Sequence, residues 1–237
     1  MCWHTFLQAK SNRVHFASPR WYLASNASTM HREVLTKRAA ELFGSLRRFP
    51  GFYLAGGTAL ALQIGHRVSV DFDLFSDNDI ERSLLPRVQR VFSDAVSIAP
   101  LINNTDELTV LVDDVKITFL KYPFPTFDPF VIYEQVPLLS VREIAATTAY
   151  TIGRRGAYKD YIDLYFTLSE QHATLTDIID IAEKKFGFEF NSRLFLEQLV
   201  FLDDVEDTDI QFLKTAVTRS ELLNFFEANI RANAERL

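Results

Sequence analysis

The chain has 237 residues, a formal charge of −6 and one cysteine, Cys2. That charge argues against a broad nucleic-acid-coating surface, although it leaves room for a local basic groove. The single cysteine excludes an intramolecular disulfide and all cysteine-based zinc sites, which fits a reducing, cytoplasmic setting. With 48% hydrophobic residues, 21 of all residues being Phe, the chain can build the core of one large or two small domains. No run approaches the roughly 20 apolar residues of a membrane span, so no membrane partner is expected.

Residues 1–29 carry Lys10, Arg13 and Arg20 but no Asp or Glu, and they show no helical or strand period. They are expected to form a poorly packed extension of neither secretory nor convincing transit-peptide type. From Met30 to Phe49, Val34, Leu35, Ala39, Leu42, Phe43 and Leu46 follow a period near 3.6, which predicts an amphipathic helix stopped by Pro50-Gly51.

The stretch Phe52 to Ser76 reads as strand, glycine turn, short helix, strand. Gly56-Gly57 allows a tight turn and close backbone approach to a ligand, and Thr58 opens a helix whose unpaired amides suit a phosphate. Further on, Ser69, Asp71 and Asp73 alternate with Val70, Phe72 and Leu74, so period two places all three on one strand face. Two carboxylates at i and i+2 can share divalent ions, and hard oxygen ligands select Mg²⁺ or Mn²⁺. The plainer alternative, an ordinary turn and a solvated strand face, leaves two acids in an apolar strand without a purpose.

Ile80 to Ser93 is predicted as a helix, locally weakened by Pro86, and Ser97 to Ile102 as a strand. Glu107 to Val112 and Val115 to Tyr122 form a hairpin about Asp113-Asp114. Lys116 and Lys121, alternating with apolar neighbours, read as solvated strand residues. The four prolines from Pro123 to Pro137 read as an extended connection and a domain boundary, giving an expected mixed α/β domain over 30–137 and a helical domain over 138–237. Helices are predicted over Ser140–Gly153, Ala157–Gln171, Leu175–Phe186, Asn191–Leu202 and Arg219–Ala234. Ser140-x-x-Glu143 has capping-box spacing, and Thr176 and Ser220 are candidate caps. The acids from Asp203 to Asp209 read as a solvated linker, with a basic partner as the alternative. In the second domain, Lys159 and Asp163 lie at i,i+4 with Asp160 beside them, so their polar groups can converge. An exposed salt-bridged helix is the alternative.

Gly-Gly-Thr followed after twelve residues by Asp-Phe-Asp-Leu resembles the signature of nucleotidyltransferases with the polymerase-beta-like fold. The fuller wording, Tyr-Leu-Ala-Gly-Gly-Thr-Ala-Leu-Ala-Leu-Gln and then Arg-Val-Ser-Val-Asp-Phe-Asp-Leu-Phe-Ser, resembles the AbiEii family of nucleotidyltransferase toxins. Met-His-Arg-Glu-Val-Leu-Thr from Met30 resembles the start of family members, which would make residues 1–29 an upstream extension. The resemblance implies an α+β fold, a small mixed-sheet nucleotidyltransferase domain followed by a helical one, with the site in the cleft between them. It implies a metal-dependent transfer of an NMP from a nucleoside triphosphate to an acceptor hydroxyl, with tRNA or another RNA as acceptor. It also implies a type IV toxin with a cognate antitoxin.

On this resemblance Asp71 and Asp73 hold Mg²⁺ or Mn²⁺, and Gly56, Gly57, Thr58 and Ser69 bind the nucleotide's phosphates. Arg155-Gly156-Ala157-Tyr158-Lys159-Asp160-Tyr161-Ile162-Asp163-Leu164 resembles the family's late motif. Lys159 and Arg155 would then bind the nucleotide, Lys159 meeting phosphate, and Asp160 and Asp163 would orient Arg155, Lys159 or the acceptor. Two positions depart from the pattern: Thr118 stands where a third acidic ligand is common, unless Asp113 or Asp114 bends in, and Thr148 stands where the family has a lysine. A nucleotide-binding protein without turnover, or a kinase-like phosphotransferase, is the alternative.

Overall fold

A computed structural model describes residues 30–234, and the expectations for residues 1–29 lie outside the described residues. The opening helix forms in pieces: α1 spans Lys37–Phe43 and is flanked by 3₁₀ turns at Arg32–Val34 and Gly44–Arg48. Its start is fixed by Thr36, whose Oγ1 accepts the Ala39 amide at 3.3 Å. Leu35, just before, is extended and bridges in parallel to Ser69. The 3.6-residue period therefore continues through residues whose backbone is diverted to pair with a distant strand.

The remaining elements run β1 (Tyr53–Ala55), α2 (Gly56–Ile64), β2 (Phe72–Ser76), α3 (Leu84–Val91), β3 (Ile98–Asn103), β4 (Glu107–Val112), β5 (Val115–Lys121), β6 (Val131–Tyr133) and β7 (Val136–Leu138). They continue with α4 (Val141–Arg155), α5 (Tyr158–Ser169), α6 (Leu175–Phe186), α7 (Ser192–Leu199) and α8 (Arg219–Ala232). Pro86 lies in the first turn of α3, where a missing N–H costs no intrahelical bond. The strands form one mixed sheet in the order β3-β4-β5-β2-β1-β7-β6. Strand β2 runs antiparallel to β1 and parallel to β5, with Asp73 opposite Thr118.

The stretch expected as a plain extended connection instead contains a hairpin. Glu134 and Gln135 both take positive φ, 47° and 65°, the backbone of a tight hairpin turn, and β7 then pairs in parallel with β1 through Leu54 and Leu138. The caps of the last helices also differ from expectation. Thr174 and Thr218, two residues before the candidates Thr176 and Ser220, accept the amides of Asp177 and Glu221, and those carboxylates return the bond. Ser140 caps α4 as expected, but Glu143 does not reach back to it. Its carboxylate is buried, accepting the amides of Phe127 and Asp128 and pairing with Lys185.

One continuous core joins the sheet to the helices, with Phe43, Phe49, Phe72, Phe75, Phe119, Phe195 and Phe226 almost wholly buried. The acidic stretch after α7 is not merely a linker. Val68 N–H donates to the Gln211 carbonyl at 2.9 Å and Leu213 N–H to the His66 carbonyl at 3.0 Å, so the late chain pairs with the segment leading into β2.

Candidate active site

The glycine turn is set by what its two residues touch. Gly56 has a φ of 66°, and a Cβ there would lie 2.8 Å from Asp73 Oδ2; a Cβ on Gly57 would lie 2.3 Å from Arg67 Nη2. Only glycine permits both the left-handed backbone and the close approach of the acidic strand. Thr58 then ties the turn to that strand: its hydroxyl donates to the Asp71 carbonyl and lies 2.6 Å from Ser69 Oγ. The helix start, Ser69 and Asp71 are thus held as one unit.

Around this unit opens a cleft of about 570 Å³. Gly57, Thr58, Ser69, Asp71 and Asp73 line one wall, and Lys159, near the start of α5, lines it from the helical side. Asp71 and Asp73 both reach the cleft, although β2 begins only at Phe72 and Ser69 stands in an isolated bridge. Burial pushes the Asp73 carboxyl above its ordinary pKa, against the pull of Lys116 and Lys159 and a hydrogen bond from Thr118. Two hard carboxylates, one of them penalised by burial, fit a divalent cation such as Mg²⁺ or Mn²⁺. Among the described residues no group of three or more His, Cys, Asp or Glu side chains is placed to hold a metal. Among the described residues Asp71 and Asp73 are the pair that would hold such an ion, with phosphate oxygens and water left to complete its shell, as Mg²⁺ favours.

Other expected site residues lie elsewhere. Gly56 sits behind the lining, against Asp73. Asp160 accepts the Ala157 amide at 2.8 Å at the start of α5, and burial pushes its carboxyl up to about 6. Asp163 is turned to Arg67 and His66. It is buried and accepts Arg67 Nε at 2.6 Å, Arg67 Nη2 at 2.8 Å and His66 Nε2 at 2.7 Å. Burial raises this carboxyl, but the guanidinium beside it wins and holds its pKa well below the ordinary range. The helical turn places Asp163 one turn beyond Lys159, against Arg67 and His66 of the segment between α2 and β2. Arg155 ends α4, and its side chain lies outside what is described.

The two departures resolve differently. Thr148 donates back to the Ile144 carbonyl at 3.0 Å and does not line the cleft. Thr118 does line it, beside Asp73. Asp113 does not bend in, because it accepts the Ser97 amide and Arg38 at the far end of the hairpin. An acid does enter from the neighbouring strand: Glu107 on β4 is 4% exposed, lines the cleft and accepts the Thr109 hydroxyl at 2.6 Å.

Lys116, expected as a solvated strand residue, is 42% exposed and also lines the cleft, its Nζ 2.8 Å from Asp71 Oδ2; with β2 and β5 parallel, it stands two residues before Thr118 as Asp71 stands two before Asp73. Its period-two relation to Thr118 was the available signal. Arg67, Asp209 and Gln211 also line the cleft. Arg67 stands within the glycine-to-aspartate stretch, but nothing local marks Asp209 or Gln211.

A seven-stranded mixed sheet carrying a glycine turn and paired aspartates, with helices closing a cleft over them, defines a nucleotidyltransferase. The family model described as "Nucleotidyl transferase AbiEii toxin, Type IV TA system" matches residues 45–234, and the chain belongs to that family. A protein of Aquifex aeolicus (strain VF5), named as uncharacterized protein aq_aa25, is 28% identical over 174 residues, covering 72% of this chain and 83% of the relative. A putative nucleotidyltransferase from Helicobacter pylori shares the fold, with a TM-score of 0.51 and 16% identity over 84% of this chain and 98% of its own. JHP933 from the same organism matches with a TM-score of 0.48 and 14% identity over 85% and 97%.

Proposed function

We propose that this chain transfers a nucleoside monophosphate from a nucleoside triphosphate to a hydroxyl of an RNA acceptor, tRNA among the candidates, as the toxin of a type IV toxin–antitoxin pair in the cytoplasm. The observation that carries this reading is the convergence on one cleft of Gly57, Thr58, Asp71, Asp73 and, from the helical side, Lys159.

In this reading Asp71 and Asp73 hold Mg²⁺ or Mn²⁺, which supplies Lewis-acid stabilisation of charge at the α-phosphate when bound. The amides at the start of α2 receive phosphate oxygens, with Ser69 beside them, and Lys159 adds positive charge from the opposite wall. Glu107 of β4 lines the same cleft, as do Leu101 and Ile102 of β3, and we assign this side to the acceptor. Asp160 and Asp163 act by positioning, Asp160 at the first turn of α5 and Asp163 through Arg67. The absence of a third carboxylate at Thr118 keeps binding without turnover as the second reading.

Turnover with α- and γ-labelled nucleoside triphosphates and total RNA separates the readings. Label from the α position on RNA, with pyrophosphate released, is the expected result. Label from the γ position would make the protein a phosphotransferase, and bound triphosphate without product would make it a binding protein. Asp71→Asn and Asp73→Asn each keep the side-chain shape and remove the charge, and each is expected to lower α-phosphate transfer at least about a hundredfold.

A further inference from the structure

Three cationic side chains line the cleft among the described residues: Arg67, Lys116 and Lys159. Arg67 is committed, since its Nε and Nη2 donate to the buried Asp163 and its Nη1 to the Val68 carbonyl. Thr148 brings no charge to the cleft. Among the described residues the positive charge available to a polyphosphate therefore falls to Lys159 and Lys116, and Lys116 is ion-paired with Asp71.

We propose that Lys116 is a phosphate-contacting residue which Asp71 holds in place until the metal and triphosphate arrive. The inference rests on the nucleotidyl-transfer reading of the site. In the structure the ammonium occupies Oδ2 of Asp71, the oxygen side of a carboxylate expected to ligate the metal. When Asp71 turns to a divalent ion, Lys116 has to leave, because two cations on one carboxylate repel at such short range. Its side chain is 42% exposed and has four rotatable carbons, so it can swing within the cleft. It stands on the face of β5 shared with Thr118, one strand from the start of Ser69-Val70-Asp71, and the reachable wall includes Ser69, Gly57 and Thr58. Lys116 thus protects Asp71 from an unbalanced charge in the empty site and contacts the triphosphate in the filled one.

This exchange predicts opposite signs for two affinities. Lys116→Met in the full chain should bind Mn²⁺ alone roughly two- to fivefold more tightly, because a partly exposed competing ion pair is gone. The same variant should bind a non-hydrolysable nucleoside triphosphate with Mn²⁺ at least about tenfold more weakly, having lost a charge-assisted phosphate contact. Lys116→Arg, which keeps the charge, should show less than half of either change on a logarithmic scale. Free Mn²⁺ measured by its paramagnetic resonance signal and calorimetric titration of the triphosphate read the two quantities, and thermal melts confirm that each variant folds. Unchanged triphosphate affinity in Lys116→Met, with the wild type binding normally, overturns the inference while leaving the nucleotidyltransferase site standing. Mn²⁺ binding that weakens in Lys116→Met also overturns it. A wild type that takes neither Mn²⁺ nor triphosphate removes the site reading and this inference together.

Discussion

Thr118 shows how much one side chain can decide. It lies opposite Asp73, is almost fully buried and donates a hydrogen bond that partly offsets the cost of burying that carboxylate. Replacing it with Asp removes that donor and places a like charge beside Asp73. Thr118→Asp is expected to destabilise the metal-free protein by about 2 kcal/mol, the usual scale for an uncompensated buried polar group. With Mn²⁺ the order should change, because three acids hold a divalent ion better than two. Melting curves with and without Mn²⁺ check this, and a variant gaining no more than the wild type from Mn²⁺ would show that position 118 lies out of reach of the metal. The glycines and aspartates of this region were legible as residues because their chemistry is local: a positive φ, a bare Cα and two acids two apart.

At the scale of elements, the segment between α7 and α8 carries the main surprise. Arg219 of α8 donates to the carbonyls of Leu202 and Val205 and pairs with Asp207, while Asp209 lines the cleft. An acid at the rim opposes an incoming triphosphate. Asp209→Asn should tighten triphosphate binding by about two- to fivefold at low salt, the scale of an exposed charge interaction, and the gain should shrink as ionic strength rises. Calorimetric titration at two salt concentrations measures it, and equal affinity at both would mean that Asp209 faces away from the ligand. The start of α8 gives a simpler test. Thr218 is a reciprocal cap with Glu221, so Thr218→Ala should cost about 1 kcal/mol in a thermal melt without altering triphosphate affinity.

At the scale of the whole molecule, Asp163 joins the two halves. The carboxylate comes from α5, while Arg67 and His66 lie between α2 and β2, and all three are buried. Removing one partner of a buried pair leaves the other uncompensated, so Asp163→Asn should destabilise the protein by about 3–5 kcal/mol at pH 7. The pH dependence follows from the direction of the shift. The Asp163 carboxyl is held below its unfolded value, so its contribution is present above about pH 4 and is lost as the pH falls toward the folded-state value. Asp160 works in the opposite sense. Its carboxyl is raised to about 6, so its contribution is full below about pH 4 and is lost as the pH rises through 6. Denaturant melts across pH 3–7 should show a weakened acid limb in Asp163→Asn, and an unchanged limb would mean that other carboxylates govern acid unfolding.

Strand β4 was legible from Glu107 to Val112 and α6 from Leu175 to Phe186, because alternation and helical period act between near neighbours. The pairing of Asp71 with Asp73 and the glycine turn followed from the same short range. The β6–β7 hairpin was obscured by Pro125 and Pro137, and the opening helix by an apolar period that ignores the bridge between Leu35 and Ser69. Only the tertiary structure turned Asp163 toward Arg67, set Lys116 against Asp71 and brought Glu107 and Asp209 to the cleft. These contacts span 45 or more residues or cross from strand to strand, and strand register and domain packing, which no local pattern encodes, select the partner of each charge.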